Sequence, residues 1–323
     1  MQMPKLCLVI IAAALFIGCS PARKTTVEHK VLFVTGCSAN KLEVLDWDGK
    51  GAPVIFLAGL GNTAHVFDHF ALRFTDRYHV YGLTRRGFGK SDQPAADYTE
   101  KNLAGDILAV LDSLHIDKAI LIGHSIAGEE ISKFAATYPA RVRKVVYLDA
   151  AYDRKTPGFA DMQKIPIQNP VPTRQDSSSF AHWKDFSRKA YGLSFPDEEL
   201  QQISIFSEKG SYLREVTSTP IYEAIFGALE HPDYRHITCP ALGIYADFKS
   251  VNKAVPSYAE LDAANQKNAD QFFRLLQKYA ITEQIRFKNE LRNGIVKTVD
   301  HTNHYLFISN PAETEKLIRD FLR

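Results

Sequence analysis

The hydrophobic pattern alternates between short, continuously apolar runs and longer amphipathic runs. The run PVIFLAG at 53–59 starts with proline, ends with glycine and carries no charge, as expected of a strand buried on both faces. Similar runs predict strands at 31–36, 41–48, 78–84, 118–122, 142–151, 240–247 and 294–300. Helical spacing of apolar residues predicts helices at 64–77, 99–115, 126–138 and from 311 to the end. Strands that alternate with helices predict a mostly parallel sheet covered on both faces.

The alternation stops between residues 152 and 236. This segment is rich in proline, serine and aromatic residues, with helical pieces near 179–191, 197–208 and 220–230. The strand pattern resumes at residue 240. We therefore predict an α/β core over 31–151 and 237–323, interrupted by a mostly helical cap over 152–236.

Residues 1–19 are predicted to be a signal peptide. Lys5 is followed by an apolar run that is too short to span a bilayer comfortably. The run ends in Phe16-Ile17-Gly18-Cys19, which resembles a lipoprotein box and predicts that Cys19 is lipidated. Residues 20–30 would then be a linker, and the protein would belong to the cell envelope, touching the membrane only through this anchor. The alternative is a plain export signal and a soluble periplasmic or secreted protein.

Composition narrows the choice of partners and compartment. The formal charge of +2 and the absence of a basic run give no reason to expect nucleic acid. Of the four cysteines, Cys7 and Cys19 belong to the N-terminal segment. The remaining two, Cys37 and Cys239, are interpreted as small buried residues, with a pair formed after export as the alternative. Neither has metal-ligand spacing.

The segment KAILIGHSIAGEE at 118–130 carries the strongest chemical signal. An apolar strand leads into Gly123, Ser125 follows two residues later, and Ala127 two residues after that. A catalytic serine on a strained strand-to-helix turn needs small residues at both flanking positions. The pattern predicts Ser125 as a nucleophile; an ordinary buried turn serine is the alternative.

Other segments supply the groups that such a serine needs. FLAGLGN at 56–62 is a glycine-containing loop after an early strand, in the right place to donate a backbone N–H to an oxyanion. His304 lies on a loop that leads into the last helix, as expected of a general base, and His301 is a second histidine on that loop. The GKS at 89–91 is not a phosphate-binding loop, because Thr84 stands where that motif needs glycine.

Four motifs in this order, FLAGLGN, LTRRGFGKSD, ILIGHSIAG and NHYLFISNP, resemble the α/β-hydrolase superfamily. The resembling branch includes esterases, proline iminopeptidases, C–C bond hydrolases and epoxide hydrolases, and the resemblance runs from about residue 40 to the end, except the cap. Ala58 and Ala127 depart mildly from the family pattern, and IYADFKS lacks the glycine usual before its aspartate. A serine nucleophile argues against epoxide and haloalkane chemistry.

The resemblance implies a Ser-His-Asp triad with Ser125 and His304. Asp247, at the end of the strand at 240–247, is the expected acid, and Asp149 is the alternative because some relatives place the acid after the earlier strand. The backbone N–H groups of Leu60 and Ile126 are expected to form the oxyanion hole. The resemblance implies no metal or organic cofactor.

The predicted activity is hydrolysis of a small hydrophobic ester through an acyl-enzyme. Cap aromatics around Phe180, Trp183 and Phe186 are expected to face Ser125 as an apolar pocket. A C–C bond hydrolase and a proline iminopeptidase are alternatives on the same triad, and a ligand-binding protein of low turnover is another. An iminopeptidase would need cap carboxylates, for which the candidates are Glu198, Glu199, Glu208 and Glu223.

Overall fold

The computed structural model describes residues 28–323 and is built around an eight-stranded sheet. The predicted signal peptide, including Cys7 and Cys19, and most of the predicted linker lie outside these residues. The strands are β1 (Lys30–Thr35), β2 (Lys41–Gly49), β3 (Ala52–Leu57), β4 (Tyr78–Leu83), β5 (Ala119–His124), β6 (Val142–Leu148), β7 (Ser204–Phe206), β8 (Tyr212–Glu215), β9 (Ala241–Asp247) and β10 (Gly294–Asp300).

The sheet has the order β1-β2-β4-β3-β5-β6-β9-β10. The pairs β1–β2 and β2–β4 are antiparallel, and every other neighbouring pair is parallel. The carboxyl ends of β3, β5, β6, β9 and β10 therefore meet at one edge, where ligands bind in open α/β sheets. The predicted mostly parallel sheet is confirmed.

Helices cover both faces of the sheet, and others lie in the segment inserted after β6. They are α1 (Asp68–Ala71), α2 (Glu100–Ser113), α3 (Ala127–Thr137), α4 (Pro157–Gln163), α5 (Phe180–Tyr191), α6 (Asp197–Ile203), α7 (Thr219–Gly227), α8 (Val251–Ala254), α9 (Ala263–Glu290), α10 (Leu306–Ser309) and α11 (Pro311–Leu322). Alternate residues of β3 point to opposite faces of the sheet and pack against different helices. Ile55 and Leu57 pack with α2, α3 and α9, whereas Val54 and Phe56 pack with α1, α10 and α11.

Several local predictions differ from the structure. The predicted helix at 64–77 is a series of short turns around α1. The helical piece predicted at 197–208 ends at Ile203, and β7 pairs with β8 in a hairpin, so the inserted segment is not only helical. Cys37 is exposed, contrary to prediction, and Cys239 is partly buried; both are free thiols. Among residues 28–323, no helix combines the length and apolar character needed to cross a bilayer.

The turn between β5 and α3 leaves no space for a side chain at Gly128. A Cβ atom built there would lie 2.1 Å from the carbonyl oxygen of Ala150, which follows β6. This glycine therefore lets α3 approach the end of β6. The sequence pattern shows a small residue here but not which backbone it meets.

We predict that Gly128→Ala destabilises the fold by about 1–3 kcal/mol, the usual cost of overpacking, because the obstructing atom is backbone. Gly227→Ala is the matched control, since a Cβ there meets nothing within 4 Å. Urea unfolding measures both free energies. Equal stability of the two variants would contradict the packing described.

Candidate active site

Ser125 sits on a strained turn at the carboxyl end of β5. Its φ of 55° is in the left-handed region, which a non-glycine residue adopts only at a cost of about 1–3 kcal/mol. The turn is close-packed: a Cβ on Gly123 would lie 3.0 Å from the carbonyl oxygen of Ala127, and Ala127 itself is fully buried. Small residues on both sides therefore let the serine leave the sheet edge sharply.

The loop after β3 packs directly against this turn. A Cβ on Gly59 would lie 3.1 Å from the Cβ of Ser125 and 2.8 Å from Nδ1 of His124. Within the described chain, neither the N–H of Leu60 nor that of Ile126 donates to a protein acceptor. Two free backbone donors thus flank Ser125, as an oxyanion hole requires.

The guanidinium of Arg85 forms hydrogen bonds with the loop after β3. It donates to the carbonyl of Ala58 at 2.7 Å and to that of Gly59 at 3.3 Å, and its Nε donates to Glu130 on α3. Both charged side chains are buried. Because these bonds fix the peptide units before Leu60, they also fix the direction of its N–H. The motif LTRRGFGKSD, which contains Arg85, contributed to the family resemblance without revealing this role.

His304 is oriented by contacts on both sides. Its Nδ1 lies 2.7 Å from Oδ2 of Asp149, and its backbone carbonyl accepts a hydrogen bond from Nε2 of His124 at 3.0 Å. Burial keeps the pKa of His124 well below its usual value, so this second histidine is neutral and acts as a donor. No hydrogen bond joins Ser125 and His304 within residues 28–323, although both line one cavity. His301, by contrast, is exposed.

Both oxygens of the Asp149 carboxylate have hydrogen-bond partners. Its Oδ1 accepts from the Tyr152 hydroxyl at 2.6 Å and from the Ala246 N–H at 3.1 Å, while Oδ2 faces His304. Burial raises the pKa of Tyr152 well above its usual value, so the phenol keeps its proton and donates. Asp149 also has a positive φ, 46°, just after β6. This arrangement fixes a buried anion beside the imidazole.

Asp247, which the sequence favoured as the acid, does not reach His304. Its carboxylate instead contacts Nζ of Lys249, which also lies 3.6 Å from Asp300. The physical reason is the strand order: β9 pairs with β10 so that Asp247 lies opposite Asp300, whereas Asp149 follows β6, the neighbour of the strand that carries Ser125. The geometry therefore favours the alternative acid.

Glu199 on α6 ties the inserted segment to the loop after β3. Its side chain is fully buried and accepts hydrogen bonds from Nδ2 of Asn62 at 2.9 Å, from the N–H of Thr63 at 3.1 Å and from the Thr63 hydroxyl. Oδ1 of Asn62 in turn accepts from the Tyr305 hydroxyl at 3.1 Å. A single carboxylate thus links the cap, the candidate oxyanion loop and the residue after His304.

A cavity of about 410 Å³ opens beside Ser125, Asp149 and His304. Most of its wall is apolar or aromatic: Tyr152, Phe159, Met162, Tyr191, Phe248, Phe272, Leu276, Tyr279 and Tyr305. Phe159 and Tyr191 are cap rings that line it as expected, but the rings of the segment 180–186 lie elsewhere. Trp183 stacks between Phe186 and Tyr212, and Trp183 and Phe186 line a separate cavity, while Phe180 packs against Phe206. The expectation for this segment was wrong, because one face of α5 stacks on the β7–β8 hairpin.

One group of potential metal ligands lies away from this cavity. Donor atoms of His29, His65 and Asp68 lie within 4.8 Å of one another. His65 contacts Asp68 at 3.2 Å and Glu43 at 3.7 Å. Although burial lowers the pKa of His65, the two carboxylates raise it to about 9. An imidazolium between two buried carboxylates accounts for this cluster.

Comparison with known proteins agrees with this fold. Residues 52–192 match the family described as the alpha/beta hydrolase fold. The chain is 35% identical over 276 residues to a 2-(acetamidomethylene)succinate hydrolase from Mesorhizobium japonicum, covering 85% of this chain and 89% of that protein. Among solved structures, an E-2-(acetamidomethylene)succinate hydrolase matches with a TM-score of 0.67 at 22% identity, over 91% of this chain and 99% of that chain. An esterase from Exiguobacterium antarcticum matches with a TM-score of 0.61 at 18% identity, over 91% and 99%.

We predict that the stability contributed by Glu199 falls as pH rises. Burial raises the pKa of Glu199 to about 7, although hydrogen bonds from Thr63 and Asn62 oppose the shift. An unfolded glutamate titrates near about 4.3, so the folded state binds the proton more tightly, and this stabilisation is lost between about pH 4 and pH 7. The unfolding free energy of the wild type minus that of Glu199→Gln should therefore decrease over this range, by up to about 3 kcal/mol.

Glu198→Gln is the matched control, because this neighbouring side chain bonds only Gln202 on its own helix. Its difference from the wild type should not vary with pH. A difference for Glu199→Gln that is equally constant would contradict the buried, proton-binding carboxylate.

Proposed function

The chain belongs to the α/β-hydrolase family, and we propose that it is a serine hydrolase that uses Ser125, His304 and Asp149. The observation that carries the proposal is the 2.7 Å contact between Asp149 and His304 beside the cavity that Ser125 lines. The left-handed φ of Ser125 and the two free N–H groups beside it support the same assignment. Asp149 takes the place that the sequence had given to Asp247.

The proposed reaction begins when the Ser125 hydroxyl attacks the carbonyl carbon of an ester. Nε2 of His304 takes the serine proton while Nδ1 donates to Asp149, which stabilises the imidazolium. The N–H groups of Leu60 and Ile126 donate to the oxyanion. His304 then gives the proton to the departing alcohol, which leaves an acyl-enzyme. Water attacks this ester with His304 again as base, releasing the acid and restoring the serine.

The arrangement of Ser125 and His304 without a ligand is compatible with these reaction steps. Catalytic hydrogen bonds are often long before substrate binds and shorten in the complex, so the missing Ser125–His304 bond does not exclude the pair. The imidazole is already fixed at its other nitrogen and at its own carbonyl. Only the serine hydroxyl and substrate need to adjust.

The cavity supports a small substrate with apolar parts. About 410 Å³ lies within the usual range for small-molecule sites, and its wall is largely apolar and aromatic. The relative from Mesorhizobium japonicum is a hydrolase, which supports the same reaction class for this chain. The leaving group we propose is an alcohol.

A proline iminopeptidase receives less support. Of the cap carboxylates that might hold a free amino terminus, Glu199 is buried and bonded to Asn62 and Thr63, and Glu208 and Glu223 are exposed. Neither these three nor Glu198 lines the cavity beside Ser125. Among the described residues, Asp149 is the carboxylate that lines this cavity, and both of its oxygens already have partners.

We predict that Ser125→Ala lowers the turnover of p-nitrophenyl butyrate by roughly 10⁴- to 10⁶-fold, because the attacking hydroxyl is gone. A fluorophosphonate probe should label the wild type on the peptide that contains Ser125. Labelling and turnover retained by the variant would refute the nucleophile. Turnover absent from the wild type, with ligand still bound, would favour the low-turnover binding protein.

We further predict that Asp149→Asn lowers kcat by about 10⁴-fold, because the asparagine amide cannot hold the imidazole in the required tautomer or stabilise its charge. Asp247→Asn is the matched control, since Asp247 also ends a parallel strand but contacts Lys249. Its turnover should stay near that of the wild type. A larger loss in Asp247→Asn than in Asp149→Asn would reverse the assignment.

A further inference from the structure

The wall of the cavity beside Ser125 carries more basic than acidic side chains. Besides His304, the charged side chains that line it are Asp149, Arg154 and Lys253. Asp149 has no free oxygen, because Tyr152, Ala246 and His304 occupy both. The two basic side chains are therefore the charged groups still available to a ligand.

Arg154 is built into the wall rather than lying on the surface. Its side chain is only 8% exposed, and its guanidinium stacks over the Tyr152 ring at 5.7 Å. Nη1 donates to Oε1 of Glu129 at 2.9 Å. Within the described residues, Nε and Nη2 have no protein acceptor and are not sealed from solvent. This edge of the guanidinium is the pair of parallel N–H groups that binds a carboxylate bidentately.

Glu129 does not cancel the charge of Arg154 completely. It contacts only one of the guanidinium nitrogens and is buried on α3. Burial raises the pKa of Glu129 to about 8, against the effect of Arg154. The nearby Asp153 is itself paired with His231 and Arg286. Arg154 therefore keeps positive charge toward the cavity.

Lys253 adds a second cation at the rim. It is exposed on α8 and, within residues 28–323, no carboxylate lies within 4.0 Å of its Nζ. Lys249, four residues earlier, differs because it bridges Asp247 and Asp300. An unpaired ammonium at the mouth favours entry of an anion.

We propose that the substrate carries a carboxylate in addition to the bond that is cleaved, and that Nε and Nη2 of Arg154 bind it while Lys253 attracts it. This inference rests on the proposed function. It replaces the expected uncharged ester by a hemiester of a short dicarboxylic acid. The apolar wall then contacts the carbon chain, and Arg154 sets which end of the molecule faces Ser125.

The test compares two esters of similar size. One is p-nitrophenyl hydrogen succinate, which has a free carboxylate, and the other is the neutral p-nitrophenyl pentanoate. Hydrogen bonds to a charged group contribute about 1.5–3 kcal/mol, so kcat/KM for the anionic ester should exceed that for the neutral ester by roughly 10- to 100-fold. The preference should also weaken as ionic strength rises.

Two variants locate the carboxylate. Arg154→Gln combined with Glu129→Gln removes the guanidinium without leaving a buried carboxylate unpaired, and should lower the anionic-to-neutral ratio by about tenfold or more. Lys253→Met, at an exposed position, should lower it roughly two- to fivefold and reduce its salt dependence. Lys249→Met is the control and should leave the ratio unchanged. Thermal melting verifies that each variant is folded.

Each outcome decides between the two proposals. Ser125-dependent turnover of the neutral ester, with no preference for the anionic ester and no change in either variant, overturns the carboxylate site and leaves the serine hydrolase standing. Failure of the wild type to cleave either ester overturns both. If the double variant does not fold, an unchanged ratio and salt dependence in Lys253→Met overturn the site.

Discussion

The site depends on one steric constraint, the close approach of backbone around Ser125. The serine leaves β5 with a left-handed φ, and three neighbouring glycines each stand where a Cβ would meet other atoms at 3.1 Å or less: Gly59, Gly123 and Gly128. These contacts bring the loop after β3, the start of α3 and the end of β6 to one point. Because the parallel strands end at this edge of the sheet, their order places the serine hydroxyl, the free N–H groups and Asp149 close to one another.

Buried charge supports this geometry from outside the cavity. Arg85 holds the carbonyls before Leu60, and Glu199 holds Asn62 and Thr63. A buried carboxylate or guanidinium is stable only when its hydrogen bonds are satisfied, so each of these residues accepts few arrangements of the loop it contacts. The inserted segment is thereby coupled to the loop beside Ser125 through side chains that never reach the cavity.

The sequence predicted what is encoded locally and missed what depends on distant contacts. Apolar runs specified the sheet, and the small residues around Ser125 specified the turn. Asp149 and Asp247 look alike in sequence because both lie at the end of a buried strand, and only the order of the strands in the sheet distinguishes them. Glu199 lies 137 residues from Asn62 in the sequence, so no local sequence pattern predicts their contact. The aromatic residues at 180–186 were misplaced for a similar reason, since they stack on the β7–β8 hairpin, of which β7 was predicted as helix and β8 was not predicted.

The central claim is that His304 and Asp149 form one hydrogen-bonded unit beside Ser125. Proton NMR tests it directly, because an imidazole N–H that donates to a buried carboxylate gives a far-downfield resonance that is separated from all amide signals. The account predicts this resonance in the wild type and in Asp247→Asn, and its loss in Asp149→Asn and His304→Gln, with all four proteins folded. A resonance that survives in Asp149→Asn and disappears in Asp247→Asn would contradict the account.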